Sequence, residues 1–159
     1  MSSRITGEGQ SRPPRPALIL GFAGLIPFLW GAATLLSPPL AVFGAEQFGT
    51  RFVGPFVQIS YGVIILSFMS GVLWGFATRT HGRLARNGYA ASVVPALWAF
   101  LFVGSNPDSA AWWLILGFGL ILLIERWFAR YGLTPAWWMP YRTVLTCVVV
   151  TCLAVGPLT

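Results

Sequence analysis

Five long apolar stretches alternate along this chain with short joints rich in Arg, Pro and small polar residues. The central stretch, Gln58 to Thr78 (QISYGVIILSFMSGVLWGFAT), carries no formal charge. At about 1.5 Å per residue, roughly twenty helical residues cross the ~30 Å hydrocarbon core of a bilayer. The stretch therefore predicts a transmembrane helix, with the rest of the chain arranged around it. The other apolar runs are Ala17 to Leu36, Tyr89 to Gly104, Ser109 to Ile124 (extending as helix to Ala129) and Tyr141 to Leu158. The pattern predicts an all-α integral membrane bundle of five transmembrane helices. It occupies a single domain over residues 17–159 and follows a disordered basic tail over residues 1–16. Five spans use about a hundred residues and leave no room for a second, soluble domain.

The joints are punctuated by helix signals. Pro27 lies inside the first run, lacks a backbone donor and predicts a kink. Ser37-Pro38-Pro39 closes that run. The loop that follows, to about Gly54, carries Glu46 and Arg51 among Phe43, Phe48 and Phe52, a mixture suited to a segment lying in the membrane interface. The third run holds Pro95 and, near its middle, Trp98, whose indole N–H needs a partner inside the bundle. Asn106-Pro107 reads as an N-cap followed by proline at the first helical position. Thr134-Pro135 repeats that signal before Trp137 and Trp138, and Pro140 opens the fifth run.

Charge tests this reading independently. Only 9% of residues are charged, against roughly 25% in soluble domains. The net charge of +6 comes from ten Arg and no Lys against four acids. Arg4, Arg12 and Arg15 lie in the tail, Arg79, Arg83 and Arg86 in the second joint, and Arg126, Arg130 and Arg142 in the fourth. Arg51 alone falls in the first joint, and the third joint and C-terminus have none. Five spans with the N-terminus inside and the C-terminus outside put nine arginines on the cytoplasmic side, as positive-inside orientation requires. Trp112, Trp113, Trp127, Trp137 and Trp138 cluster at span ends, as aromatic belts do. The basic balance is thus spent on orienting spans. No cationic face interleaved with aromatics stands clear of them, which argues against a nucleic-acid partner. A signal peptide is the competing reading of the N-terminal region, but the first run is too long for it and no small-residue cleavage site follows. A mitochondrial presequence fits poorly with Glu8 and with the lack of an amphipathic period. The use of Arg without Lys points to a GC-rich, bacterial genome, and so to a multi-pass protein of the bacterial inner (cytoplasmic) membrane.

Candidate chemistry is sparse. Ser67, Gly71 and Gly75 recur every fourth residue and stack on one helix face, where small residues let another backbone come close. That face serves either packing within the monomer, the favoured reading, or docking of a partner membrane protein or a second copy. Gln58, Ser60, Tyr61 and Ser70 put polar groups on the same span, either lining a path for a small solute or making interhelical hydrogen bonds. No ionisable residue lies in the middle third of any span, whereas ion-coupled transporters usually place one there. Glu125 is read as part of an interfacial ion pair with Arg126, Arg130 or Arg142, of little energetic weight. Asp108 suits the first turn of the fourth span, where its charge complements the helix dipole. Glu46 has no assigned role, and His81, the sole histidine, is read as a solvated loop residue. Cys147 and Cys152, about 500° apart on a helix, point to different faces and form neither a disulfide nor a metal pair. No cofactor or metal is expected, and no nucleophile-elbow, Walker or dinucleotide-binding motif is present.

Several segments resemble a membrane family of unknown function, the domain of unknown function 3429. The resemblance is carried chiefly by YGVIILSFMSGVLWG, Tyr61 to Gly75. Leu25-Ile26-Pro27-Phe28, Pro95-Ala96-Leu97-Trp98 and Tyr141-Arg142 to Leu145-Thr146 add to it. It covers nearly all the chain beyond the tail. The family typically carries a His just before the motif's Trp and two Gly before that; here these positions hold Leu73 and Ser70-Gly71. The resemblance implies a small multi-span protein of bacterial inner membranes with relatives in mitochondria, and brings no established activity.

Together these features lead to a non-enzymatic membrane protein, an accessory or assembly partner of a larger membrane complex. The alternative is a small transporter or channel for a neutral or weakly polar solute. A membrane-embedded enzyme would need Glu46, Glu125 or His81 to converge in one pocket.

Overall fold

The computed structural model describes residues 12–158. Residues 1–11, which hold most of the expected tail including Arg4 and Glu8, lie outside the described residues, and helix begins at Arg15. All regular structure among the described residues is helical: α1 (Arg15–Ala23), α2 (Ile26–Leu36), α3 (Pro38–Phe48), α4 (Gly54–Ala77), α5 (Gly82–Phe102), α6 (Pro107–Arg130) and α7 (Trp138–Leu158), with a 3-10 turn over Thr50–Phe52. Four segments are long and apolar enough to cross a membrane: Arg15–Leu36, Gly54–Ala77, Pro107–Arg130 and Trp138–Leu158. α5 is not among them. It starts seven residues before the expected third run, at Gly82, and so carries Arg83, Arg86 and Asn87 on its first turns. These arginines ride on a helix rather than in a loop.

The first run is broken, but a turn earlier than the position of Pro27 suggests. Pro27 sits at the start of α2, and the chain dislocates at Gly24-Leu25, where Leu25 N–H bonds back to the Phe22 carbonyl. Proline both lacks its own N–H and crowds the carbonyl four residues before it, here Ala23, so the strain falls on the preceding turn. Asn106 caps α6 as its sequence predicts, its side-chain oxygen accepting from Ser109 N–H at 3.1 Å, with Asp108 exposed in the first turn. Thr134-Pro135 does not open a helix: the chain passes through turns until α7 begins at Trp138, with Pro140 inside its first turn. The joint after Ser37 is itself mostly helix, α3, on which Glu46 is exposed near the C-terminal end.

α4 is the hub and packs against α2, α5, α6 and α7. The core between them is apolar and dense: Phe28, Leu66, Leu73, Leu114, Phe118 and Ile121 are all at most 1% exposed. Leu73, where the resembled family carries His, is thus a core side chain. Polar side chains inside the bundle act as cross-links. Gln58, 2% exposed, donates from Nε2 to the carbonyls of Phe28 and Cys152, both at 3.0 Å, and so ties α2, α4 and α7 together. Gly31 makes room for it, since a Cβ there would fall 2.4 Å from Gln58 Cγ. On the other side, Ser70 Oγ accepts from Ala96 N–H at 2.9 Å, beside Pro95, where α5 lacks a donor. Trp98 donates its indole N–H to the Trp113 carbonyl at 2.8 Å, and its ring fills the space that glycine leaves at 117.

Candidate functional site

Ring and hydrogen-bond contacts show which helix ends lie together. Phe76 of α4 meets Trp138 of α7, Trp74 of α4 meets Tyr89 of α5, and Tyr141 of α7 donates its hydroxyl to Ala17 of α1 at 2.6 Å. Trp98 and Phe102 of α5 meet Trp113 of α6 at the opposite end. The ends that carry Arg15, Arg79, Arg83, Arg86 and Arg142 therefore share one side of the bundle, together with the C-terminal end of α6 and its Arg126 and Arg130.

One turn inside that side lies a cluster of buried polar side chains. Glu125 is fully buried and accepts from Arg142 Nε at 2.8 Å; Arg142 is itself only 6% exposed. The ion pair with Arg142, one of the partners the sequence offers, is formed, but burial of both side chains corrects the reading that it carries little energetic weight. The partner is Arg142, from α7, and both side chains are removed from solvent. The pair leaves polar capacity unused. Glu125 Oε2, Arg142 Nη2, Trp138 Nε1 and Thr146 Oγ1 are all buried without a hydrogen-bond partner. The Trp138 indole N–H faces the Glu125 carboxylate without closing a bond of normal geometry. Buried polar atoms of this kind are rare in folded proteins, and each calls for a physical reason.

Trp138, Arg142 and Thr146 also form one end of a cavity of about 670 Å³. It lies between α1 and α4, is floored by α7, and reaches Phe28, Tyr61 and Phe118 toward the bundle centre. The Gly24-Leu25 break creates it, because α2 packs on α4 and α7 whereas α1 swings away and is pinned through Tyr141. Leu20, Ile64 and Phe68 on its rim are exposed, so it opens sideways.

The other sequence candidates are dispersed. Ser67, Gly71 and Gly75 all face outward, and a Cβ built at either glycine meets nothing within 4 Å. Packing within the monomer, the favoured reading of that face, does not occur. Gln58 and Ser70 are consumed in the cross-links described above, Ser60 is exposed, and Tyr61 is half-buried with its ring edge-on to Phe28. These residues do not converge on a polar path. Glu46, Asp108 and His81 are exposed on separate elements. Cys147 is exposed and Cys152 buried, both as free thiols. Among the described residues no group of His, Cys, Asp and Glu is placed to hold a metal ion.

Sequence reasoning named Arg142 as a possible partner of Glu125 and Thr146 only as part of a family resemblance, and did not place either in a buried cluster. The available signal was the stripe Trp138, Arg142, Thr146, spaced by four on a largely apolar helix, which places three polar groups on one face. That face continues into Val149 and Leu153, both buried, and so points into the bundle.

Residues 13–158 match the model of a family described as a protein of unknown function, DUF3429. Transmembrane protein 69 of Xenopus tropicalis is 38% identical over 141 residues, covering 86% of this chain and 51% of that protein. Transmembrane protein 69 of Mus musculus is 32% identical over 140 residues, covering 85% of this chain and 52% of that protein. The chain thus spans about half the length of these curated relatives. No solved structure matches it.

Proposed function

Since the chain belongs to the DUF3429 family of membrane proteins, whose description assigns no activity, we propose from the geometry that it is a non-enzymatic accessory or assembly partner of a larger membrane complex. The observation that carries this reading is the outward small-residue face of α4. Ser67, Gly71 and Gly75 are exposed, with open space over both glycines and Phe68 and Trp74 exposed alongside. In a bilayer, small-residue faces let a second helix approach to backbone distance, and van der Waals packing then drives association. The hydroxyl of Ser67 already donates to the Val63 carbonyl, so the face offers shape rather than unsatisfied polarity.

The proposal includes five spans, with α5 as the third. Its ends meet opposite ends of α4 and α6, and the arginines gather on the side that positive-inside orientation makes cytoplasmic. An N-terminus inside, a C-terminus outside and a bacterial inner membrane, supported by Arg use without Lys, complete it. A solute path along α4 draws no comparable support, because Gln58 and Ser70 are spent on helix cross-links.

The test is native-size analysis in mild detergent at native expression, with Gly71→Leu as comparison. Open space at Gly71 lets the variant fold as a monomer. A complex larger than the monomer that is lost in a folded Gly71→Leu is the expected result; unchanged migration of wild type and variant as a monomer overturns the proposal.

A further inference from the structure

We propose that the groove between α1 and α4 holds one acyl chain of an anionic phospholipid whose phosphate is bound by Arg79. Ser67, Gly71 and Gly75 of the docking face take no part in it. Its shape fits a chain. Along α4 the lining side chains run from Tyr61 through Phe68 and Val72 to Phe76. Between positions 61 and 76 a helix rises about 22 Å, and one leaflet's share of the ~30 Å hydrocarbon core is about 15 Å. An extended acyl chain therefore fits lengthwise, parallel to the helix axis. Leu20, Ile64 and Phe68 are exposed along the rim, so the chain enters sideways from the bilayer without opening the core. Trp137, Trp138 and Tyr141 line the end near Phe76. Aromatic side chains of this kind sit at headgroup level, which makes that end the place where a lipid head emerges.

The charge at that end selects the head. Arg79 follows Phe76 by three residues, a spacing that continues the lining face of α4 by one more turn, and its N–H still bonds to the Phe76 carbonyl. Its side chain is exposed and has no ion-pair partner. Arg12 and Arg15, also exposed, stand at the start of the α1 wall, just before Ala17, which Tyr141 ties to α7. Among the described residues no free acid balances these cations. Glu125 is buried against Arg142, Glu46 lies on α3, and Asp108 lies at the far end of α6. A guanidinium without a carboxylate takes a phosphate through two parallel N–H···O bonds. A lipid with net negative charge is favoured over a zwitterionic one, whose ammonium the surrounding arginines repel.

The test is native mass spectrometry of the full chain in mild detergent, offered equal amounts of dioleoyl phosphatidylglycerol and dioleoyl phosphatidylcholine. The readout is which lipid occupies the first bound position. Arg79→Gln removes the anchoring charge. Arg86→Gln removes a charge on the same side from α5, which contributes nothing to the groove. Ile64→Trp crowds the rim. All three side chains are exposed, so the variants keep the fold. The wild type should prefer phosphatidylglycerol. Arg79→Gln should lower that preference roughly five-fold, the effect of one arginine at a membrane surface, and Arg86→Gln should leave it unchanged. Ile64→Trp should lower first-lipid occupancy for both lipids alike. Three outcomes overturn the proposal: no preference in the wild type, an equal loss in Arg79→Gln and Arg86→Gln, which makes the attraction diffuse, or unchanged occupancy in Ile64→Trp, which places the lipid elsewhere.

Discussion

Glu125 shows how far a single residue can sit from what its neighbours in sequence suggest. It adjoins Arg126 and lies one turn before Arg130, so an exposed helix-end pair is the economical reading of the sequence. In the fold it points the other way, to Arg142 on α7. The 0% exposure changes the energetics, because an exposed pair contributes about 0–1 kcal/mol, whereas removing one partner of a buried pair strands the other charge at a cost of roughly 3–5 kcal/mol. Glu125→Ala should therefore destabilise the bundle by roughly that amount, read as a lower unfolding midpoint in detergent. Glu125→Leu combined with Arg142→Leu should recover most of the loss, since apolar replacement of a whole buried pair is often neutral or stabilising. A single substitution as mild as a surface one would mean that the two charges reach water in the protein. Periodicity could not reveal the pairing. Position 125 lies one turn beyond Ile121 and two beyond Phe118 on the buried face of α6, which was readable, but the identity of the facing residue depends on how α7 returns after the turn at 131–137.

At the scale of elements, sequence reasoning did well where the signal is local and less well where one helix acts on another. The N-cap at Asn106 and the helical extent of α4 need only their own residues. The apolar run marks the start of α5 seven residues late, because the helix begins among Arg83 and Arg86, and charged residues are compatible with a helix that has emerged from the apolar layer. The polar residues of α4 were recognised as a set, and the structure divides them by partner: Gln58 reaches α2 and α7, and Ser70 reaches α5. Gln58 bridges three helices at once. Gln58→Leu keeps the volume and loses both bonds. Interhelical hydrogen bonds in membrane bundles average about 0.6 kcal/mol, so the loss should be about 1–2 kcal/mol, measured as a shift in the denaturant midpoint. A shift no larger than that of a Leu-for-Ile exchange nearby would mean that packing around Gly31 holds α2 without Gln58.

The whole molecule turns on α5. Hydropathy alone selects four crossing helices, and four would return the C-terminus to the side of the N-terminus. We propose five, on the contacts of α5. α5 runs alongside α4 from the Trp74–Tyr89 ring pair at one end to Trp98 and Phe102 at the other, where Trp98 is bonded to Trp113 near the start of α6. A 21-residue helix rises about 31 Å, enough to cross the hydrocarbon core. If α4 and α6 span, the end of α5 that carries Arg83 and Arg86 and the end that leads to Asn106 must lie on opposite sides. Ser replacing Cys147 and Cys152 gives a thiol-free background, into which His81→Cys or Ser105→Cys places one exposed thiol at either end of α5. A membrane-impermeant thiol reagent added to spheroplasts should label the variant at 105 and leave that at 81 unmodified, with the reverse in inside-out vesicles. Labelling of both from one side would make α5 a helix that returns without crossing, and the arginines at 83 and 86 would then no longer share a side with Arg126, Arg130 and Arg142 by topology, removing the electrostatic argument for which face of the membrane the buried Glu125–Arg142 pair adjoins.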